Sequence, residues 1–224
     1  MFPIRDTQPS YSKPVVVILL IVANALVFLH EVSLDEYSRN YFIASYGLIP
    51  DARHLHASAL ITHMFLHGGW LHVIGNMWFL WIFGDNVEDV MGHVKFLIFY
   101  LLCGVVAAIT QIYFSFGSRV PMVGASGAIA GVMGAYLVKF PRARIVTFVI
   151  VFVFFTTIEI PAVLMLLYWF FIQLFSGVGT VAHSNVSEGG TAFLAHVGGF
   201  VAGIILVNIM GTRPRYLQRR DLNW

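Results

Sequence analysis

The chain has 224 residues, of which 58% are hydrophobic and only 11% are charged, and its mean hydropathy is +0.81. A water-soluble surface cannot be built from this composition, so we expect most of the chain to lie in lipid. The formal net charge is only +2, and the 13 basic residues are scattered, which argues against a nucleic-acid partner. The single cysteine, Cys103, excludes an internal disulfide.

Long apolar runs predict six membrane-spanning helices, each needing about 20 residues. Five have approximate bounds of 15–29, 70–83, 96–116, 122–138 and 192–210. In the remaining run, residues 145–175, the first part is β-branched and aromatic, whereas Thr156 and Glu159 have capping-box spacing and Pro161 suits a first turn. We therefore predict the fifth helix at about 157–175, after a cytoplasmic stretch lying on or dipping into the membrane.

The basic residues support six spans with both termini in the cytoplasm, because short cytoplasmic loops hold most Lys and Arg. Ten of the 13 fall in the inner segments of this topology: Arg5, Lys13, Lys95, Lys139, Arg142, Arg144, Arg213, Arg215, Arg219 and Arg220. The outer segments hold the other three: Arg39, Arg53 and Arg119. The predicted organisation is a cytoplasmic segment at 1–13, a six-helix domain at 14–210 and a basic tail at 211–224.

The first apolar run and the first outer loop have further sequence features. The first apolar run could be a signal peptide, with Ala23-Asn24-Ala25 as its cleavage site, but its removal would leave an odd number of spans and spoil the charge distribution. The first outer loop, about residues 31–69, mixes aromatic and charged residues. We expect this loop to lie at the membrane interface as an amphipathic structure.

Four polar side chains within the predicted spans mark a candidate site: His72, Asn76, Ser126 and His196. The second, fourth and sixth helices run in the same direction in this topology. At about 1.5 Å of rise per residue, Asn76, Ser126 and His196 therefore fall at roughly one depth in the outer half of the bilayer. Small residues in VGASGAIAGVMGAY and in AHVGGFVAG allow these helices to approach each other closely.

The chemistry of the four side chains is complementary. A serine becomes a good nucleophile when a base removes its proton, and a neutral histidine can act as that base. His72 and Asn76 share one helix face and could donate hydrogen bonds to an oxyanion. No acidic third partner is evident, so Ser126 and His196 are predicted to form a dyad. A packing serine and a hydrogen-bonded histidine are the alternative, and the residues alone weigh the two interpretations about equally.

The chain resembles the rhomboid intramembrane proteases over about residues 14–210. The resemblance is carried by HxxxN from His72 to Asn76, GDNVEDVMGH, GASGAIAG around Ser126 and AHVGGFVAG around His196. It implies an all-α six-helix bundle with a water-filled cavity open to the outside. It further implies that Ser126 is the nucleophile, His196 the general base, and Asn76 and His72 oxyanion donors. Single-span membrane proteins would be cut near the outer face, without a cofactor or metal.

Two departures from the family pattern concern neighbouring groups. Some members carry a Trp-Arg pair in the first outer loop, where this chain has LHASALITH. The resemblance therefore does not imply how this loop is anchored to the helices. Some members place an aromatic residue four after the serine, against the histidine, but here that residue is Ala130.

The absence of an Arg- and Ser-rich transit segment favours a bacterial plasma membrane over an organelle membrane. The sequence does not predict the oligomeric state.

Two other functions are compatible with parts of the sequence. A catalytically inactive relative would bind membrane proteins, but the presence of both Ser126 and His196 disfavours it. A metal site could use His63, His67 and His72, although no HExxH motif or carboxylate partner accompanies them. We expect instead that His63 and His67 hydrogen-bond the first outer loop to the helices. Glu88, placed just beyond the second helix, is expected to be a structural hydrogen-bond acceptor.

Overall fold

A computed structural model of the chain describes residues 2–51, 53–151, 154–182 and 192–213. The described helices are α1 (Val15–Ser33), α2 (Glu36–Tyr46), α3 (Ala59–Thr62), α4 (Trp70–Met91), α5 (His93–Phe114), α6 (Ser126–Lys139), α7 (Ala162–Ala182) and α8 (Phe193–Met210). A 3-10 turn, His63–Phe65, follows α3, and the strands are β1 (Phe2–Asp6), β2 (Arg144–Val151) and β3 (Phe154–Pro161). Most of the predicted basic tail lies outside the described residues.

Helices α1, α5 and α8 are long and apolar enough to cross a membrane. They correspond to the first, third and sixth predicted spans. Helix α6 and residues 162–178 of α7 are shorter apolar helices. Helix α4 has 22 residues, but polar and acidic side chains interrupt its apolar sequence. The fold is therefore that of a mostly helical membrane protein, while the count of six spans stays a prediction.

Helix α6 lies at the centre of the helices, and every residue from Gly127 to Tyr136 is buried. Its glycines meet those of α8 backbone to backbone. A Cβ atom on Gly203 would lie 1.9 Å from the carbonyl oxygen of Gly131, and one on Gly199 would lie 2.0 Å from that of Gly127. Real Cβ atoms cannot approach so closely, so only glycine fits at Gly199 and Gly203. The close approach expected from the small residues is thus present.

Glu88 joins α4 to the beginning of α1. Its carboxylate accepts hydrogen bonds from the backbone N–H groups of Val16 and Val17, each at 2.9 Å, and from Nδ1 of His93 at 2.5 Å. The first N–H groups of a helix have no carbonyl partner within it, so a carboxylate there supplies their hydrogen-bond acceptor. Its negative charge also interacts favourably with the positive end of the helix dipole. The predicted acceptor role is confirmed, but Glu88 lies inside α4, which continues to Met91.

The prediction of an all-α fold is wrong for residues 144–151 and 154–161, which form two strands of one sheet with the N-terminal strand β1. The sheet has the order β1-β2-β3, and both pairings are antiparallel. Thr156 and Glu159 pair with Val149 and Val146 instead of capping a helix. The fifth predicted helix consequently begins at Ala162 rather than at 157. β-branched and aromatic residues favour this pairing, which satisfies the backbone N–H and C=O groups across strands.

Strand β1 is held against α4 and α6 by polar contacts. Trp78 Nε1 donates to the carbonyl oxygen of Pro3 at 2.6 Å. The carboxylate of Asp6 accepts from the hydroxyl of Tyr136 at 2.5 Å and from the amide of Asn86 at 2.8 Å. Burial raises the pKa of Asp6 to about 7, although the bond from Tyr136 opposes this shift. The N-terminal segment is therefore part of the packed structure.

Other helix boundaries also differ from the predicted ones. Helix α6 begins at Ser126 rather than Met122, because Met122 pairs with Leu48 in an isolated antiparallel bridge. Helix α4 ends at Met91 rather than Phe83, and the next residue, Gly92, has a φ of +85° that suits a residue without a side chain. The predicted boundaries thus fail mainly where tertiary backbone pairing, which apolar patterning does not reveal, ends or prevents a helix.

The described part of the first outer loop contains α2 and the short α3. Helix α2 buries none of its residues, and the Asp35 carboxylate at its start accepts from the N–H of Ser38. Farther along, Asp51 accepts from Arg53 and lies 3.5 Å from Arg119. The hydrogen bonds from Arg53 hold the pKa of the Asp51 carboxyl well below its usual range. The interfacial position of this loop stays a prediction.

We predict that Gly203→Ala destabilises the protein by about 2 kcal/mol or more, because the new methyl group must push α6 and α8 apart. This loss corresponds to a fall of roughly 4–8 °C in the melting temperature. Cys103 is fully buried, so a thiol-reactive fluorogenic dye reports unfolding in detergent. Gly75→Ala is the control, since no atom lies within 4 Å of the position its methyl group would take. Equal melting temperatures for the two variants would contradict this packing.

We also predict that Glu88→Ala lowers the free energy of unfolding by about 2–4 kcal/mol, because several buried donors lose a charged acceptor. Glu88→Gln keeps one acceptor oxygen and should fall between Glu88→Ala and wild type. Glu36→Ala, an exposed change in α2, is the control and should cost less than about 0.5 kcal/mol. The same dye-based melting experiment measures all three, and equal stability of Glu88→Ala and Glu36→Ala would refute the structural role.

Candidate active site

The structure brings Ser126 and His196 together, although they are 70 residues apart in the chain. Ser126 is the first residue of α6, and His196 lies in the first turn of α8. Ser126 Oγ is 2.7 Å from His196 Nε2, which is hydrogen-bonding distance. The histidine is only 7% exposed. The glycines hold α6 against α8, and both residues lie in the first turns of these helices, at the same end of the contact.

A sharp turn at Gly124 leads the chain into α6. Its φ is +123°, in the region that favours glycine, and its N–H donates to the carbonyl oxygen of His63 at 2.9 Å. A Cβ atom on Gly124 would lie 2.7 Å from Nε2 of His72 and 3.6 Å from Nδ2 of Asn76. Both α4 side chains therefore lie against the backbone just before Ser126. All four predicted site residues therefore lie at or beside residues 124–126.

The amide of Asn76 is notable because its donor has no partner. Asn76 is 8% exposed, and its Nδ2 is a buried nitrogen without a hydrogen bond. An unsatisfied buried donor costs about 1–3 kcal/mol, so such atoms call for an explanation. His72 is half-buried beside it. The N–H groups of the first turn of α6, which lack helical carbonyl partners, add further donors beside Ser126.

Two residues of α7 that the sequence analysis did not select also contact His196. Gln173 Oε1 lies 2.7 Å from His196 Nδ1, and both side chains are buried. The ring of Trp169 lies over the imidazole, with centroids 5.8 Å apart and ring planes at 34°. Gln173 is the one amide in the apolar segment 160–178, so the rule that polar residues in spans need an explanation could have identified it.

His63 and His67 of the first outer loop make the expected hydrogen bonds to other segments through their backbone groups and not through their rings. His63 Nδ1 bonds to the carbonyl oxygen of Ala59 within the loop, so it is the His63 backbone that contacts the turn at Gly124. His67 is tied to α1 by its backbone N–H, which donates to the carboxylate of Glu31 at 3.2 Å. Within the described ranges, no three His, Cys, Asp or Glu side chains gather as a metal site would require.

The comparisons with known proteins agree on one family. The family model of the Rhomboid domain matches residues 54–213. The chain is 34% identical over 140 residues to the mitochondrial presenilin-associated rhomboid-like protein of Mus musculus, covering 60% of this chain and 36% of that protein. The Homo sapiens protein of the same name is 32% identical over 130 residues, covering 56% and 33%. RHOMBOID-like protein 5 of Arabidopsis thaliana is 32% identical over 161 residues, covering 70% and 45%.

The chain thus spans about a third of the length of the mouse and human relatives. The matched domain, in contrast, covers most of this chain and includes all of the helices from α3 to α8. It contains the four predicted site residues and both α7 residues that contact His196. On this match the chain belongs to the rhomboid family.

Proposed function

We propose that the chain is a serine endopeptidase that hydrolyses peptide bonds in or near the transmembrane segments of membrane proteins. The observation that carries the proposal is the 2.7 Å contact between the half-buried Ser126 Oγ and Nε2 of the buried His196. A serine kept only for packing has no need of an imidazole nitrogen at this distance. The pair matches the arrangement of a nucleophile and its general base.

In the proposed reaction, Nε2 of His196 takes the hydroxyl proton of Ser126 as Oγ attacks the carbonyl carbon of the scissile bond. The carbonyl oxygen becomes an oxyanion, and the Asn76 amide, the His72 ring and the N–H groups of α6 donate to it. The imidazolium then gives its proton to the leaving amine, and the C–N bond breaks. Water, deprotonated by His196, hydrolyses the resulting ester and restores Ser126.

The unpaired amide of Asn76 supports its part in this scheme. A donor that is aimed in advance at the position of an oxyanion has no partner before the charge forms. The desolvation cost is incurred during folding, so no reorganisation is needed when the carbonyl is attacked. This explains why an apolar helix would keep a buried polar group unsatisfied.

The arrangement in the membrane is also a proposal. Six spans with cytoplasmic termini would place the dyad in the outer half of the bilayer, reached by water from the outside, with single-span proteins as substrates. The names of the mouse and human relatives say that those proteins are mitochondrial. We propose that this chain is a multi-pass membrane protein, and these relatives make an organelle membrane the alternative to the bacterial plasma membrane expected from the sequence.

Cleavage of a fluorescent transmembrane substrate by the purified protein in detergent tests the dyad. We predict that Ser126→Ala and His196→Ala each lower cleavage by several orders of magnitude, because acyl transfer to the serine needs both the nucleophile and its base. A chelator should leave the wild-type rate unchanged. Ser115→Ala, at the end of α5, is the matched control and should cleave at the wild-type rate.

Activity that survives Ser126→Ala would contradict the proposed nucleophile. A folded wild type that cuts none of several transmembrane substrates would instead favour a non-catalytic protein that binds other membrane proteins.

We predict that Asn76→Ala and His72→Ala each lower kcat by roughly 100- to 1000-fold, the effect of removing one oxyanion donor, with KM changed less than about threefold. The reason is that the donors meet full negative charge only in the transition state. Asn208→Ala is the control, since its amide is exposed on α8 and bonds to the carbonyl oxygen of Ile204. A rise in KM at constant kcat would show that these residues bind substrate rather than the oxyanion.

A further inference from the structure

We propose that Gln173 and Trp169 are positioning residues for His196, and that Gln173 determines which ring nitrogen carries the proton. Both lie on α7, four residues apart, and so on one face of the helix. The catalytic consequence rests on the proposed protease function, whereas the effect on the imidazole itself can be measured in a protein that cleaves nothing.

The hydrogen bonds of the imidazole carry the first step of the argument. Nδ1 lies 2.7 Å from Gln173 Oε1, and Nε2 lies 2.7 Å from Ser126 Oγ. An amide oxygen can only accept, so a hydrogen bond at this position requires the proton on Nδ1. A neutral imidazole has one ring proton, and Nε2 is then left with a lone pair directed at the serine hydroxyl. This is the tautomer that a general base needs.

The second step concerns the state after proton transfer. When Nε2 takes the serine proton, the ring becomes a cation with donors at both nitrogens. Gln173 Oε1 continues to accept from Nδ1, so the ring need not turn during the reaction. Without this acceptor, a buried donor would be left unpaired in both states, and the tautomer with the proton on Nε2 would become competitive. That tautomer cannot accept the proton of Ser126.

Trp169 restricts the orientation of the same ring. Its indole lies over His196 with a centroid distance of 5.8 Å and also packs 6.2 Å from the ring of Phe200. The fully buried Ala130, four residues after Ser126, has only a methyl group and offers no aromatic surface. The aromatic contact that some rhomboid proteases draw from the helix of the serine is therefore supplied in this chain by α7.

Two measurements on the same variants test the proposal. In Gln173→Leu, which removes the acceptor at similar size, kcat for the transmembrane substrate should fall roughly 10- to 100-fold, with KM changed less than about threefold. Gln173→Glu keeps an oxygen acceptor on a chain of equal length and should recover most of this loss. Gln111→Leu, an amide change on α5 whose amide bonds to Ser115, is the matched control and should keep the wild-type kcat.

The second measurement does not depend on activity. NMR of protein labelled with 15N in the histidine rings distinguishes a protonated from an unprotonated ring nitrogen, and the His196→Ala spectrum identifies the signals of His196. We expect the proton on Nδ1 in wild type, Gln173→Glu and Gln111→Leu, and a shift toward Nε2 in Gln173→Leu. Trp169→Leu should keep the Nδ1 tautomer but lower kcat, whereas Trp169→Phe should retain most of the activity.

An unchanged tautomer in Gln173→Leu, or an unchanged kcat in an active protein, would overturn the role of Gln173. An equal rate for Trp169→Leu and wild type would overturn the role of Trp169. A tautomer that depends on Gln173 in a chain that cleaves no substrate would support the positioning contact and count only against the protease proposal.

Discussion

The close contact between α6 and α8 is the constraint on which the rest of the structure depends. At three glycines, Gly134, Gly199 and Gly203, the backbone of one helix lies where a side chain of the other would be. Neither helix can therefore move outward without losing van der Waals contact along its length. In lipid, where burial of apolar surface gives little gain, such packing is a principal source of helix association. The same contact fixes the distance between the first turns of both helices, and with it the distance from Ser126 to His196.

The site is assembled from four elements around this contact. Helix α6 provides the serine, α8 the histidine, α4 the two candidate oxyanion donors, and α7 the acceptor and the aromatic ring that hold the imidazole. The positions of these side chains are fixed by the backbone, through the Gly124 turn and the glycine contacts between α6 and α8. They do not depend on contacts between long, flexible side chains. Pre-organisation of this kind lets polar groups act in an apolar environment without reorganising during the reaction.

Much of the helical framework was predictable because long apolar runs and the periodicity of small residues are local properties of the sequence. The proximity of Ser126 and His196 also followed from the depth of each residue in its helix and from the small residues beside it. The three-stranded sheet did not follow, since the pairing of residues 2–6 with 145–148 depends on contacts more than 130 positions apart. Apolar β-branched residues at 145–151 were compatible with either a membrane segment or a strand.

The contacts from α7 were missed for a different reason. Gln173 is an amide in an apolar helix, but the prediction of a dyad rested on the absence of an acidic partner. Trp169 could not be distinguished in the sequence from other aromatic residues at a membrane interface. The structure shows both reaching His196, because α7 packs on α8 with this face inward.

The most direct test of the central claim is the reaction of the folded protein with a fluorophosphonate, located by mass spectrometry. An activated serine forms a covalent phosphonyl ester with this reagent, whereas packing serines stay unmodified. The proposed dyad predicts one adduct on the peptide containing Ser126 in wild type, and none in His196→Ala that retains its fold. A folded wild type without the adduct, or equal labelling rates in wild type and His196→Ala, would contradict activation of Ser126 by His196.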